Sequence, residues 1–383
     1  MRQPIGFEDS MHPTHICKLR KAIYGLKQAP RQWHTTFTEH LLRIGFQHSK
    51  VDPSLLTFTQ NSNRIFLLVY VDYILITGSS EQTIAELITK LNDQFHMKYL
   101  GQAKHFMGIT ISSEPAKYFL SQKSYAQSIL AQANLISCKS LANPSCTKLQ
   151  SQLTQDQELT DPNIYRRITG ALQYLTITRP DIAYAVNILS QNMHSPSTQH
   201  SYLLKRLLRY IQGTISFGLP IIKSNLHLRS FSDADWAGDP LTRKSTSGYC
   251  TFLGANLVSW TVKKQKTVSR SSTESEYRAL AAATADILWL QRLISDFGIT
   301  SAEPTQLFCD NTSAIALAHN PVFHARTKHI EIDHRFIRDN IQNNNIHLQP
   351  ISTIDQIADI LTKPLSMARF KMLRDKLMIT LGS

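Results

Sequence analysis

The chain lacks any apolar run that could span a bilayer: nothing in its 383 residues approaches the roughly 18 uninterrupted apolar positions such a helix needs. Its opening, Met1 to Ser10, carries Glu8 and Asp9 and no apolar signal core. That argues against a secretory reading, and the expectation is an intracellular protein, in cytoplasm or nucleus. Cysteine is sparse. Cys17, Cys138, Cys146, Cys250 and Cys309 form no CxxC pair, so a disulfide framework is excluded and a reducing compartment fits. His324, His329 and His334 recur at intervals of five, which matches no zinc pattern. Internal repeats are missing. Acidic residues are in deficit: 28 Asp+Glu against 41 Lys+Arg give a net charge of +13. That balance favours a polyanionic partner, although a solvated basic surface would look the same. A mean hydropathy of −0.21 is ordinary for a globular protein.

Among the elements that are present, Pro30 to Ile44 reads as a helix with Trp33, Phe37, Leu41 and Ile44 on one face. Arg64 to Thr77 reads as two strands around a tight turn at Asp72–Tyr73. Glu81 to Phe95 is an amphipathic helix, and Phe106 to Ser112 a short strand. The polar stretch from Ser145 to Pro162 reads as an exposed loop. Residues 163–213 are mostly helical, with LLKRLLRY forming a basic helix, and strands resume near Leu226.

Four acids in the last third of the chain sit where local pattern turns a side chain inward. Asp233 falls at or just past the end of a strand over Leu226–Phe231, with Asp235 as its nearest competitor. Asp233 could instead close the hairpin as an Asx-turn. Glu276 follows Thr273 in TESE, a capping box opening a long helix. It also continues the stripe Leu280, Ala283, Ile287, Leu290, Ile294 and Phe297, which favours burial, and a buried unpaired carboxylate calls for a cation. Asp310 ends the run Leu307-Phe308-Cys309 before NTSAIALAH, where, taken alone, it reads first as an N-cap. Asp359 lies in a helix that Thr353 and Gln356 open as a second box, and alone it could be a solvated residue. Converging carboxylates are what a chain needs to hold two Mg²⁺ ions (or Mn²⁺) for phosphodiester hydrolysis.

The blocks SDADWAGDPLTRKSTSGY, SWTVKKQKTVSRSSTESEYRAL, LFCDNTSAIALAHNPVFHARTKHIEI and DQIADILTKPL resemble the ribonuclease H domain of copia-type retrotransposon polyproteins. KLRKAIYGLKQAPRQW, VYVDYILITGS, YRRITGALQYLTITRPDIAYAV and LKRLLRYIQGT resemble the reverse transcriptase of the same family. The resemblance implies an α/β (α+β) class. A truncated right-hand polymerase palm with a helical thumb or connection precedes a ribonuclease H-like domain, whose mixed five-stranded sheet is flanked by helices. The expected division is 1–112, 113–220 and 221–383. The implied site is D-E-D-D, carried by Asp233, Glu276, Asp310 and Asp359. It binds two Mg²⁺ and cuts the RNA strand of an RNA–DNA hybrid.

The family hairpin reads YVDD, and here Asp72 is followed by Tyr73. A phenol, with a reference pKa of about 10, is a poor Mg²⁺ ligand. The upstream segment that bears the third polymerase aspartate has no match, and neither protease nor integrase blocks are found. The expectation is therefore an N-terminally truncated fragment or decayed copy, polymerase-dead but with an intact ribonuclease H set. An RNA–DNA hybrid or an RNA template is the implied partner, and no membrane is. Phosphate contacts are expected at Lys27 and Arg31, within the basic group Lys18, Arg20, Lys21, Lys27 and Arg31. Lys263, Lys264, Lys266, Arg326 and Lys328 are expected to act likewise. Non-catalytic binding of hybrid, and a decayed product that does not fold, are the alternatives. Self-association and assembly with a longer polyprotein are left open.

Overall fold

A computed structural model describes the chain apart from residues 21, 22, 24, 61, 148–155, 301, 302, 321–330 and 383. The described residues form two compact units, Met1–Gly101 with Ser295–Gly298, and Gln102–Ile294 with Ile299–Ser383. The α/β class expected from the sequence is the one observed.

In the first unit, helix α1 (Ala29–Arg43) places Pro30 in its first turn, where a missing N–H is harmless. Phe37 and Leu41 are buried on its inner face, whereas Ile44, expected beside them, is exposed past the helix end. Strands β1 (Gln47–His48), β2 (Leu55–Gln60), β3 (Asn63–Tyr70) and β4 (Tyr73–Gly78) form an antiparallel sheet in that order. Alternation along β3 buries Ile65, Leu67 and Val69. Helix α2 (Glu81–Phe95) is capped by Ser80, whose hydroxyl accepts from the Thr83 amide at 3.3 Å. The β3–β4 turn lies at Val71–Asp72, one position before the expected one, because Tyr70 pairs with Tyr73. Val71 sits at φ 49°, an uncommon conformation for a β-branched residue.

The second unit opens with β5 (His105–Phe106), β6 (Ile109–Glu114) and β7 (Lys117–Ser121). The single strand expected over Phe106–Ser112 is thus two, broken by the positive-φ pair Met107 and Gly108. Helices α3 (Lys123–Gln132), α4 (Asn163–Leu175), α5 (Ala183–Gln191) and α6 (Thr198–Gly213) follow, then β8 (Phe217–Ile222). Of the polar stretch 145–162, positions 148–155 lie outside the described residues, and Glu158 bridges to Ser197.

The rest comprises β9 (Leu228–Asp235), β10 (Thr246–Leu253), β11 (Asn256–Lys264), α7 (Ser272–Asp296), β12 (Thr305–Cys309), α8 (Thr312–His319), α9 (Glu331–Gln342), β13 (Ile346–Pro350), α10 (Asp359–Thr362), α11 (Met367–Lys376) and β14 (Thr380–Leu381). A mixed five-stranded sheet runs β11-β10-β9-β12-β13, antiparallel up to β9 and parallel beyond. A second sheet runs β14-β8-β7-β6-β5.

Each face of the mixed sheet has its own core. On one, Leu280, Ala283 and Ile287 of α7 meet Leu307, Ala314 and Ile337. On the other, Leu172, Leu207 and Ile211 of the helical segment share a core with Phe231, Phe252, Leu361 and Leu373. Arg179, 2% exposed, is tied beneath that core. Its guanidinium donates to both Asp181 oxygens at 2.9 and 2.7 Å and to the Thr214 carbonyl at 2.8 Å. Tyr210 donates to the same Asp181 carboxylate at 2.6 Å.

Candidate active site

Asp233 lies inside β9 rather than at the end of a shorter strand. Ser232 to Asp235 pair with Tyr249 to Thr246, which carries the strand onward, while Leu226 is exposed outside it. Its cross-strand partner is Gly248. A Cβ there would come within 2.8 Å of Leu361 Cβ and of Thr362 Cγ2. Glycine thus lets α10 lie directly on β10. That approach brings the Thr362 hydroxyl into a hydrogen bond with Asp233 Oδ2. Burial raises the Asp233 carboxyl above its ordinary range, with Lys363 opposing and Asp359 adding to the rise. Asp235, the competitor, closes a turn instead. Its carboxylate accepts from the Thr246 amide at 2.9 Å and fills the space beneath Gly238.

The capping expected at Thr273 and Glu276 falls two residues earlier, at Ser271 and Glu274, without a reciprocal box. Ser271 Oγ accepts from the Glu274 amide at 3.2 Å, and the Glu274 carboxylate accepts from the Arg270 amide at 2.9 Å. Glu276 is therefore released from capping. It is 5% exposed, and its Oε2 has no hydrogen-bond partner among the described residues. Burial first, then the charges of Asp233 and Asp310, push its carboxyl far up.

Asp310 is not the N-cap of α8. Asn311 is, accepting from the Ala314 amide at 2.9 Å. Half-buried Asp310 instead accepts from the Thr353 hydroxyl at 2.9 Å. The box expected at Thr353 and Gln356 does not form either, since α10 is only four residues long and begins at Asp359. Gln356 Nε2 donates to the Ser232 carbonyl at 3.0 Å, fastening the loop to β9. Asp359, 2% exposed, faces two cations: Lys363 Nζ stands 2.8 Å from Oδ1 and Arg369 Nη2 2.8 Å from Oδ2.

The side chains converge. One oxygen each from Asp233, Asp310 and Asp359 lie within 4.8 Å of one another, as do donor atoms of Glu276, Cys309 and Asp310. Asp310 thus belongs to both groups. Cys309 stays a neutral thiol, raised by burial. Hard carboxylate oxygens, two of them (Glu276 Oε2 and Asp359 Oδ1, the latter ion-paired with Lys363) buried without a hydrogen-bond partner among the described residues, fit a cation of the Mg²⁺ kind. Sequence reasoning missed Thr362, Lys363 and Arg369. Lys363 follows Asp359 by four positions, a spacing that places helical neighbours together, whereas nothing local marks Arg369.

Other expected residues fall elsewhere. Asp72 is exposed in the β3–β4 turn and Tyr73 exposed at the start of β4; neither joins a cluster of acids, histidines or cysteines among the described residues. Lys18, Arg20, Lys27, Arg31, Lys263 and Lys266 are exposed. Lys264 is ion-paired with Asp239. Lys21, Arg326, Lys328, His324 and His329 lie outside the described residues, as does part of the charge pattern they belong to. Among those described, no helix is long and apolar enough to cross a membrane.

The family described as reverse transcriptase (RNA-dependent DNA polymerase) matches residues 1–147. The retrovirus-related Pol polyprotein from transposon RE1 of Arabidopsis thaliana is 45% identical over 381 residues, 99% of this chain and 26% of that protein. The putative transposon Ty5-1 protein of Saccharomyces cerevisiae is 30% identical over 291 residues, 75% of this chain and 94% of that protein. The chain spans about a quarter of the Pol polyproteins it matches. Among solved structures, the N-terminal RNase H domain of rv2228c from Mycobacterium tuberculosis is 12% identical, with a TM-score of 0.28 over 39% of this chain and 98% of that one. A likeness this distant assigns no residue a role.

Proposed function

Because the chain belongs to the copia-type retrotransposon Pol family, as a reverse transcriptase and ribonuclease H-like region, we propose that residues 221–383 carry a Mg²⁺-dependent ribonuclease H acting on RNA–DNA hybrids. We propose with it that the Asp72–Tyr73 hairpin no longer supports RNA-directed DNA synthesis. The observation that carries the first part is the buried, unpartnered Glu276 Oε2 beside three carboxylates gathered within 4.8 Å. A desolvated carboxylate left this way is costly unless a cation or a proton compensates it, and the ring of acids around it favours the cation in this reading.

Asp233, Glu276, Asp310 and Asp359 are the residues that would hold the ions. When bound, Mg²⁺ supplies an activated water and stabilises the departing oxygen. The chain does the rest. Thr362 and Thr353 fix the rotamers of Asp233 and Asp310 by hydrogen bonding. Arg369 pins Asp359 while its other nitrogen donates to the Ile354 carbonyl at 2.9 Å, so loop and ligand are held as one piece. Lys263 and Lys266, both exposed, would meet phosphate, which orients a duplex without reading sequence. In this reading residues 113–220 serve as thumb or connection, and their packing against the mixed sheet makes the whole chain the unit to assay.

The test is cleavage of a labelled RNA–DNA hybrid by the full chain, in Mg²⁺ and in EDTA. Cleavage is expected in Mg²⁺ alone. Asp310→Asn should lower it by more than the roughly 10–100-fold typical of outer-shell partners of a metal site. Hybrid binding without cleavage would sink the enzymatic reading and leave a binding remnant.

A further inference from the structure

The acid cluster is already half neutralised by the chain itself, and the two cations responsible are held differently. Arg369 is locked: it bonds Asp359 and two loop carbonyls, those of Thr353 and Ile354, through its planar fork. Lys363 bonds carboxylates and nothing else among the described residues. Its Nζ lies 2.8 Å from Asp359 Oδ1, 3.4 Å from Asp233 Oδ2 and 3.5 Å from Asp233 Oδ1. The residue is the C-cap of α10 in an extended conformation, φ −142° and ψ 154°, so its stem enters the cluster from the helix end. About a third of the side chain is exposed, which leaves a route out.

The ammonium occupies the space between the facing oxygens of Asp233 and Asp359. A Mg²⁺ ion contacts its oxygen ligands at about 2.0–2.1 Å, so an ion bridging those two carboxylates and the ammonium cannot share that space. Their charges also repel in a buried setting where water screens little. We propose that Lys363 is a placeholder cation: it holds Asp233 and Asp359 together in the metal-free chain and must withdraw before a divalent ion can bridge them. This rests on the metal-binding reading above. It adds that the chain weakens its own affinity for metal, through a residue that is no ligand. Lysine suits the task better than arginine, being a compact charge on a flexible stem with no planar fork to satisfy.

Mg²⁺ titration calorimetry on the full chain tests the proposal without any cleavage assay, paired with thermal melting in EDTA and in saturating Mg²⁺. Lys363→Met should tighten Mg²⁺ binding at least about tenfold, equivalent to about 1.4 kcal/mol. It should also melt below the wild type in EDTA, with the gap closing in Mg²⁺. A lysine that merely supports structure would lower melting equally in both buffers, and that result, or unchanged or weaker binding, overturns the proposal. If Lys363→Met does not fold without metal, Lys363→Arg decides. It keeps the charge, so binding no tighter than wild type upholds the proposal and tighter binding rejects it. Wild-type binding without tightening in Lys363→Met sinks the placeholder alone; no binding by either chain sinks the metal site and the placeholder together.

Discussion

Two hairpins of this chain carry aspartates, and they present them in opposite ways. In the first unit Asp72 stands exposed in a two-residue turn beside the exposed phenol of Tyr73. In the second, Asp233 sits in the central strand of a mixed sheet, 1% exposed, with Gly248 opposite and Thr362 and Lys363 bearing on it. A carboxylate in water is already satisfied and asks nothing of its surroundings. One taken out of water must be compensated, by a hydrogen bond, a cation or a proton. The second site shows all three in progress: Asp233 bonded and paired, Asp359 paired twice, and Glu276 pushed toward its protonated form. Commitment of the neighbouring structure, rather than the presence of acids, separates the two regions.

The largest way to break the comparison is to remove that commitment from beneath. Arg179 and Asp181 form a buried pair, 2% and 0% exposed, shared with Thr214 and Tyr210. The Tyr210 ring meets Phe370 of α11, the helix that carries Arg369, at 5.5 Å. Arg179→Ala leaves a buried carboxylate without its cation, a change that costs about 3–5 kcal/mol. Urea unfolding should show a loss of that size. Hydrogen exchange should rise in α11 and β9 while the β3–β4 hairpin stays as it was. Equal loosening of both regions would mean that the acid cluster has no special support.

How far the sequence could show this support is instructive. Helix α2 is legible to the residue because its start is local: Ser80 caps it and apolar positions recur behind the cap. Strand β9 is not, because Ser-Asp-Ala-Asp reads as a turn until Thr246–Tyr249 pair with it from elsewhere in the chain. The run SRSSTESE offers several hydroxyls and two glutamates within about two helical turns, so the cap could be placed at Thr273 when it belongs to Ser271. That error mattered, since it gave Glu276 a structural excuse that Glu274 in fact uses. Asp310 and Asn311 were exchangeable as caps for the same reason. The four acids could be picked out by element order and family likeness, but their cations could not. Lys363 and Arg369 reach Asp359 only once α10 and α11 have folded against the sheet.

A smaller effect sharpens the comparison through pH. Burial, then the charges of Asp233 and Asp310, raise Glu276 above its ordinary value of 4.5. The folded metal-free chain therefore binds this proton more tightly than the unfolded chain does. For this group, stability is fully present below about pH 4.5 and is lost as pH rises toward the elevated folded value, by up to about 1.4 kcal/mol per unit. Asp233 shifts in the same direction. Urea midpoints in EDTA should fall with rising pH, and Glu276→Gln should flatten that slope. In saturating Mg²⁺ the wild-type slope should reverse, because the ion takes the deprotonated carboxylate. A slope that Glu276→Gln leaves intact would place the titration elsewhere.

The smallest effect belongs to the other hairpin, and its smallness is the point. Asp72 makes no ion pair among the described residues and sits in an exposed turn whose positive-φ residue is Val71. Asp72→Asn should alter stability by no more than about 0.5 kcal/mol, the range of surface changes away from special features. In the proposed reading it should also leave primer extension on an RNA template where the wild type already is, at background, since a lone exposed carboxylate next to a phenol offers a metal too few hard oxygens. Templated incorporation that Asp72→Asn abolishes would show that this hairpin still holds a working ion. The contrast between an idle aspartate and a committed one would then collapse from its quieter side, with the buried cluster untouched.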